Sequence, residues 1–381
     1  MPCASWATWA SAALAGGGKR SVSAVRLYRE GDGAGINELF VRVFGRQRPL
    51  AMWEWRFLHN PAHGGVQIAV AEDQGRIVGQ YAGAPRDLWF RGERAPALQI
   101  LDNFIDADYR AGARLQRQMF DVLVEHAVTS GIGIGFGYPN PVAYKVGKRF
   151  LGYRDVLTLR PLFRRLNWRL AWQQRRLPGA GLVRRLSAWA YRLRWCLRPP
   201  PRGVRLRRVE RFDERADRLW QRAADGERII GIRDQVFLNW RFVARPGWQY
   251  DIYQAEARDG ELLGYMVLHV RDEGTARVGY VVDYLASDPR VLPALLARGL
   301  CHMARDRVDF VLALAAPANR AGPWLHAAGF RERDDIRPVP VVYYAPPWVA
   351  ERLGPGGRIL PEEIVLDGDR WYLTYADTET I

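Results

Sequence analysis

Two stretches of this 381-residue chain repeat each other, and the repeat constrains the fold more than any other feature. Trp55-Arg56-Phe57 is followed by Pro61, Gly75 and Gly79, and Trp240-Arg241-Phe242 is followed by Pro246, Gly260 and Gly264. Each pair lies 185 positions apart, so six identities fall in register without a gap. Further on, Leu101-Asp102-Asn103-Phe104 answers Val282-Asp283-Tyr284-Leu285 at a spacing of 181, Asn140 answers Asn319 at 179, and Gly152-Tyr153 answers Gly329-Phe330 at 177. A spacing that shrinks slowly is what loops of changing length leave between two copies of one unit. The length agrees with two domains, on a guide of about 150 residues each.

Each copy reads as the same series of elements. In the first, a helical entry segment ends at Trp-Arg-Phe. Val66 to Ala71 and Ile77 to Tyr81 are runs of strand formers around the turn signal Asp73-Gln74-Gly75-Arg76, which predicts a hairpin. Leu98 to Ile105 is a further strand, and Arg114 to Val128 carries an apolar stripe at helical spacing. Ile132 to Phe136 is a short buried strand, and a helix follows from about Pro141 to Phe150. The second copy gives Tyr250 to Glu256, Leu262 to Val270, Val278 to Ala286, a helix at Leu292 to Arg305, Phe310 to Leu314, and a helix at Pro323 to Ala328. The order predicts an α/β (α+β) layer fold with a mixed sheet, used twice.

Charge separates the copies. The chain has 56 basic and 41 acidic residues, a net charge of +15. Between Asp155 and Glu210 there is no acid and there are fifteen Arg, so the remaining 41 basic residues balance the acids elsewhere. A protein that coats nucleic acid spreads its positive charge over a binding face. A charge confined to one insertion does not fit that reading. Pro178-Gly179-Ala180-Gly181 divides the insertion, and Leu182, Val183, Leu186, Trp189, Ala190, Leu193 and Leu197 after it form a helical stripe. Three readings stand for residues 160–208: a basic amphipathic segment at an anionic membrane surface, a nucleic-acid contact, or a helical hairpin that covers the domain seam. The expected organisation is a disordered extension over 1–24, a first domain over 25–159, an Arg-rich helical linker over 160–204, a second domain over 205–345 and a C-terminal extension over 346–381.

Cys3, Cys196 and Cys301 are scattered without metal-ligand spacing, and the six His form no two-ligand pattern on a helix. No metal site and no disulfide framework are expected, which favours a reducing cytoplasm. No apolar run approaches the roughly 20 residues of a membrane span. The location expected is cytoplasmic, or peripheral at the inner face of a membrane.

The element order, with the hairpin Asp73-Gln74-Gly75-Arg76-Ile77-Val78-Gly79, the strand end Phe104-Ile105-Asp106-Ala107-Asp108-Tyr109-Arg110 and the run from Pro139 to Tyr153, resembles the GNAT acyltransferase superfamily. The second copy carries the same resemblance through Asn319 to Phe330. The layout is similar to tandem members found in bacterial surface-polysaccharide systems. The resemblance covers about 25–159 and 205–345. It implies two GNAT-like domains, an acyl-CoA (acetyl-CoA foremost) as acyl donor, and an N- or O-acyltransferase with an amino sugar of a surface polysaccharide as candidate acceptor.

It also implies where the site lies. Backbone groups of the strand through Phe104 and Ile105 would polarise the thioester carbonyl. The loop Arg110-Ala111-Gly112-Ala113-Arg114 would hold the pyrophosphate at a helix N-terminus, and Asn140 would contact the cofactor. The loop departs from the family pattern, because Ala113 takes the main Gly position. In the second copy, Asp288-Pro289-Arg290-Val291-Leu292-Pro293 has no Gly, and each Pro removes an N–H, so that copy is expected to have lost cofactor binding. Tyr144 is the candidate acid; Lys148 stands where the family's Tyr is usual. Asp102 has two readings. A carboxylate in an apolar strand is either a base at the acceptor cleft or the partner of an Arg, with Arg56 and Arg241 as the partners in the two copies. Trp-Arg-Phe likewise reads either as acceptor recognition or as a helix end packed on its own hairpin. Two rival functions remain: a catalytically inactive tandem that serves as a membrane-associated or assembly partner, and an aminoacyl-tRNA-dependent transferase that uses the Arg segment.

Overall fold

The computed structural model of the protein describes residues 21–110, 113–167, 199–224 and 226–378, with positions 182, 185, 186 and 189 between them. The first half runs β1 (Ala24–Leu27), α1 (Asp32–Phe44), α2 (Leu50–Phe57), β2 (Gln67–Asp73), β3 (Arg76–Phe90), β4 (Glu93–Ile105), α3 (Arg114–Thr129), β5 (Ile134–Gly137), α4 (Pro141–Val146) and β6 (Arg154–Leu159). After β7 (Leu162–Arg165), the second half runs β8 (Arg205–Val209), α5 (Arg215–Ala223), β9 (Ile229–Gly231), α6 (Gln235–Phe242), β10 (Asp251–Glu256), β11 (Leu262–Glu273), β12 (Ala276–Ala286), α7 (Leu292–Arg305), β13 (Phe310–Ala313), α8 (Gly322–Ala327) and β14 (Arg331–Glu332). The chain ends through β15 (Val339–Tyr344), two short helices and β16 (Trp371–Tyr372).

These elements form two mixed sheets flanked by helices, the layer fold expected from the repeat. The Asp73–Arg76 turn closes on Gln74 and Gly75, both with positive φ (49° and 78°), as a tight two-residue hairpin loop requires. The hairpin strand does not stop at Tyr81, however. It continues to Phe90 and turns through Arg91 and Gly92 into β4. Pro85 and Pro96 interrupt the apolar pattern there and conceal it in the sequence. In the first half, α3 covers one face of the sheet with Leu115, Met119, Phe120 and Leu123, and α1 and α2 cover the other with Ile36, Leu39, Phe40, Trp53 and Phe57.

The two sheets exchange strands. The first has the order β1-β2-β3-β4-β5-β15-β6, so a strand from the end of the chain lies between β5 and β6. The second has the order β14-β7-β13-β12-β11-β10-β8, so the strand that follows β6 crosses over and lies between β13 and β14. Each half completes the other's sheet. Residues 162–165 are therefore a strand, although they fall in the stretch expected to be a helical linker. Leu162 and Arg164 face inward in alternation with Phe163 and Arg165, a period-two pattern that the Arg content hides. Of the stripe expected in the insertion, Leu182, Leu186 and Trp189 are helical and exposed; the remaining stripe residues, and residues 1–20 of the expected extension, lie outside the described residues.

The segment after 346 is not a peripheral appendage. Trp371, Tyr372, Leu373, Thr374 and Asp377 are all buried. Cys301, buried in α7, is disulfide-bonded, although no disulfide framework was expected. Linear spacing carries no information on cysteines that only the fold brings together.

The repeated Trp-Arg-Phe sits where the halves meet. The Trp55 and Trp240 rings stack at 4.7 Å and 15°. Each indole donates to the other's backbone carbonyl, Trp55 Nε1 to Trp240 O at 2.9 Å and Trp240 Nε1 to Trp55 O at 3.1 Å. The motif recurs because each copy supplies half of a reciprocal clasp; neither Trp packs merely on its own hairpin.

Candidate active site

β4 and β5 run parallel from Ala97 opposite Ile134 to Ile100 opposite Gly137, and then part. β4 continues to Ile105 on β3 alone. Beyond Ile100, its edge toward β5 has no strand partner among the described residues. The parting coincides with a bulge: Leu101 pairs with Ala82 and Phe104 with Gln80, leaving two residues opposite one. Asp102 takes φ 53° there, a conformation Asp and Asn accept more readily than most side chains. The side chains of Asn103 and Gln80 close the bulge, Asn103 Oδ1 accepting from Ala82 N at 2.9 Å and Gln80 Nε2 donating to Asp102 O at 2.8 Å. Phe104 turns into the α1/α2 core against Phe40 and Phe44. Phe104 and Ile105 thus present backbone to the opening.

After β4 the chain makes a short turn, capped by Asp106, over Ala107–Tyr109. Arg110 folds back, its Nε donating to Ile105 O at 2.8 Å. Ala111 and Gly112 lie outside the described residues. Ala113 then begins α3 without a side-chain cap, and no acidic residue stands in the first turn, where Arg114 lies. A 16-residue helix with free N–H groups and a cation at its start favours an anion. Asn140 caps α4, its Oδ1 accepting from Val142 N and Ala143 N, and leaves its amide N–H group toward solvent. Tyr144 donates to Asp155 at 2.8 Å, and Lys148 holds the other carboxylate oxygen at 2.9 Å. The hydrogen bond to Asp155 raises the Tyr144 hydroxyl above its ordinary value. Tyr144 and Asp102 share no partner, so the two candidate catalytic residues belong to separate clusters.

Asp102 is paired. Its Oδ2 accepts from Arg48 Nη1 at 2.7 Å and from Arg56 Nη1 at 3.1 Å. Arg48 lies over the Phe40 ring at 4.1 Å, and its Nε donates to Asn37 at 3.1 Å. Its Nη2 is buried with no hydrogen-bond partner among the described residues. Burial lowers the Arg48 guanidinium, and Asp102 only partly offsets this. The sequence reading named Arg56 and missed Arg48. The signal was present: Arg48 and Arg233 stand 185 apart, each seven residues before the repeated Trp, in the same register as the six identities.

The corresponding place in the second half is closed. β12 and β13 part after Val281 opposite Ala313. The C-terminal segment bridges the gap: the Tyr372 hydroxyl donates to Tyr284 O, Asn319 holds both the N–H and the C=O of Leu373, and Ala316 N donates to Leu373 O. Asp283 pairs with Arg233 rather than with the expected Arg241, because the pairing Arg comes from the start of the helix. Arg241 Nε donates to Ala376 O instead. Asp283 also accepts from Tyr265 and Thr374, each at 2.7 Å. Among the described residues, no group of three or more His, Cys, Asp or Glu is placed to hold a metal ion.

Residues 24–154 match the family described as acetyltransferase (GNAT) domain. Several solved structures share the fold. A GCN5-related N-acetyltransferase from Anabaena variabilis aligns at 12% identity over 84% of this chain and 72% of its own, with a TM-score of 0.59. N-myristoyltransferase from Saccharomyces cerevisiae with bound myristoyl-CoA aligns at 15% identity over 90% and 86%, with a TM-score of 0.56. A probable N-acyltransferase from Enterococcus faecalis aligns at 12% over 84% and 72%, with a TM-score of 0.55. No curated protein matches the sequence. The match places a GNAT acetyltransferase domain in residues 24–154, about a third of the chain.

Proposed function

We propose that the first half transfers an acyl group, acetyl foremost, from acyl-CoA to an amine or hydroxyl of a small acceptor, and that the second half is a closed scaffold. The observation that carries this reading is the difference between the two partings. The one beside Leu101–Ile105 has no bridging segment among the described residues, and the one beside Val282–Ala286 is bridged by the chain's own end.

In this reading the pyrophosphate meets the N-terminus of α3 with Arg110 and Arg114, the chemistry such a terminus offers. Asn140 meets an amide of the pantetheine arm. Its Oδ1 is taken by the cap of α4, so its amide N–H group meets a carbonyl, as the Asn319 amide meets Leu373 O. β4 backbone N–H groups past Ile100 polarise the thioester carbonyl. The acceptor nitrogen or oxygen forms a bond to the carbonyl carbon and gives up its proton to solvent, the C–S bond breaks, and CoA leaves as a thiolate that takes a proton. Tyr144, held above its ordinary value by Asp155, stays protonated at neutral pH, the state an acid needs. Asp102 enters as the group that orients Arg48 and Arg56.

Free-thiol release from acetyl-CoA with a panel of amines and alcohols, amino sugars included, tests the reading. Acceptor-dependent release is expected, with kcat falling roughly tenfold to a hundredfold in Tyr144→Phe. Acetyl-CoA binding without turnover of any acceptor would favour the inactive-partner reading. The surface-polysaccharide acceptor rests on the resemblance alone. Peripheral attachment to an anionic membrane is supported by exposed Leu182, Leu186 and Trp189 beside the Arg-rich run. Flotation with anionic vesicles is expected to carry the protein, and no flotation would remove that attachment.

A further inference from the structure

We propose that His269 is an acid-sensitive pin in the seam between the halves. Its uncharged ring holds the loop 244–250 and the end of the chain in place, and a proton taken up at Nε2 loosens both. The inference stands apart from the acyltransferase reading.

His269 lies on β11 with 8% of its surface exposed. Gln249 O is 2.8 Å from Nδ1, and a carbonyl oxygen only accepts, so Nδ1 carries the proton of the uncharged ring. The lone pair is then at Nε2, which is buried with no hydrogen-bond partner among the described residues. Aromatic rings enclose the imidazole: Trp248 at 4.7 Å, Tyr250 at 5.3 Å and Tyr280 at 6.5 Å between ring centres.

Among the described residues, the charges around the ring are mostly positive. From α6 and the loop after it, Arg241 and Arg245 donate to the Tyr250 hydroxyl at 3.0 and 2.7 Å. On β11, Arg271 lies over the Trp248 and Tyr280 rings at 5.8 and 5.6 Å. Glu273, a carboxylate of this cluster, already accepts from Arg271 and from the Tyr280 hydroxyl. Burial holds the His269 imidazole below its ordinary value, and Arg271, Arg245 and Arg241 add to this against the bond to Gln249 O. A proton at Nε2 buries a donor without an acceptor and adds a cation beside three guanidinium groups. The contacts that yield to it belong to the seam. Arg245 also lies over Trp55, one half of the clasp, at 5.4 Å. Arg241 Nε holds Ala376 O at 3.2 Å, and the Tyr375 ring meets Tyr280 edge-on at 5.7 Å. A base with a lowered folded value stabilises fully above its ordinary value, about 6.5. That share is lost as pH falls through the folded value.

Hydrogen exchange of the full chain, followed from about pH 7.5 to about pH 5.5 and corrected for the intrinsic rate, tests the inference. Protection of 244–250 and 371–378 is expected to fall about tenfold over the lowest pH unit of that range, while β2 and β3 keep theirs. His269→Asn keeps a donor for Gln249 O, and His269→Phe keeps a ring in the stack. Neither takes up the proton, and the fall is expected to vanish in both. One of them suffices if the other does not fold, and the unaltered protein decides alone if neither does. Unchanged protection of both segments across the range, an equal loss in β2 and β3, or the same fall in a folded variant would overturn the inference.

Discussion

The two halves of this protein share a fold, an Asp (Asp102 on β4, Asp283 on β12) paired with the Arg seven residues before the repeated Trp, and a parting of two strands, and they use them differently. In the second half the chain's end bridges the parting, and Asp283, Arg233, Arg86 and Asp377 make a sealed ionic network. In the first half the same cluster keeps contact with solvent, and one guanidinium nitrogen lacks a partner among the described residues. The difference teaches that a duplicated site can be converted into structure without altering its strands. A segment of the chain bridges the parted strands, its peptide groups meeting Asn319 and its carboxylate meeting Arg233.

The largest effect expected from this contrast is on stability. Asp377→Ala leaves Arg233 and Arg86 buried with less counter-charge, and a loss of about 3–5 kcal/mol is expected by denaturant unfolding. Asp102→Asn in the first half, where the group is partly solvated, is expected to cost only about 1 kcal/mol. Equal losses would break the distinction between a sealed and an open cluster. Next comes the clasp between the halves. Trp55→Ala and Trp240→Ala are each expected to cost about 3 kcal/mol. The double variant should cost clearly less than the sum, because the rings and both indole hydrogen bonds belong to one reciprocal pair. Additive losses would mean that each Trp packs on its own half.

A smaller effect is expected with pH. Burial pushes the Asp377 carboxyl up, but Arg233 and Arg86 outweigh it and hold it below its ordinary value. A lowered folded value means that this stabilisation is fully present above the unfolded carboxylate value, about 4. It is lost as pH falls through the folded value. Unfolding curves at decreasing pH should show this loss in the unaltered protein and a flatter dependence in Asp377→Asn. The same slope in both would remove Asp377 from the acid-sensitive set.

The repeat made the element order and the two mixed sheets legible, because six identities in register and the alternation of apolar residues are local properties of the chain. The strand exchange was not legible. Leu162–Arg165 and Val339–Tyr344 carry strand patterns at most, and nothing local says which sheet a strand joins. The burial of Trp371–Asp377 was hidden for the same reason: its partners, Tyr284, Asn319 and Arg233, are remote in sequence. At the site, Asp102 stood out as a carboxylate in an apolar strand, and its pairing with Arg56 was open to inference. Arg48 was within reach of the same register but lay before the conspicuous Trp. Tyr144 was selected because it lies one helical turn before Lys148, where the family's Tyr is usual, and the fold gives it Asp155 and Lys148 as neighbours instead of Asp102.

Calorimetric titration of the full chain with acetyl-CoA tests the central contrast most directly. One site per chain is predicted, weakened by Arg114→Glu at the start of α3 and unchanged by Arg290→Glu, an exposed substitution before the equivalent helix of the second half. Two sites per chain, or one site that responds to Arg290→Glu and not to Arg114→Glu, would contradict the assignment of an open first half and a closed second.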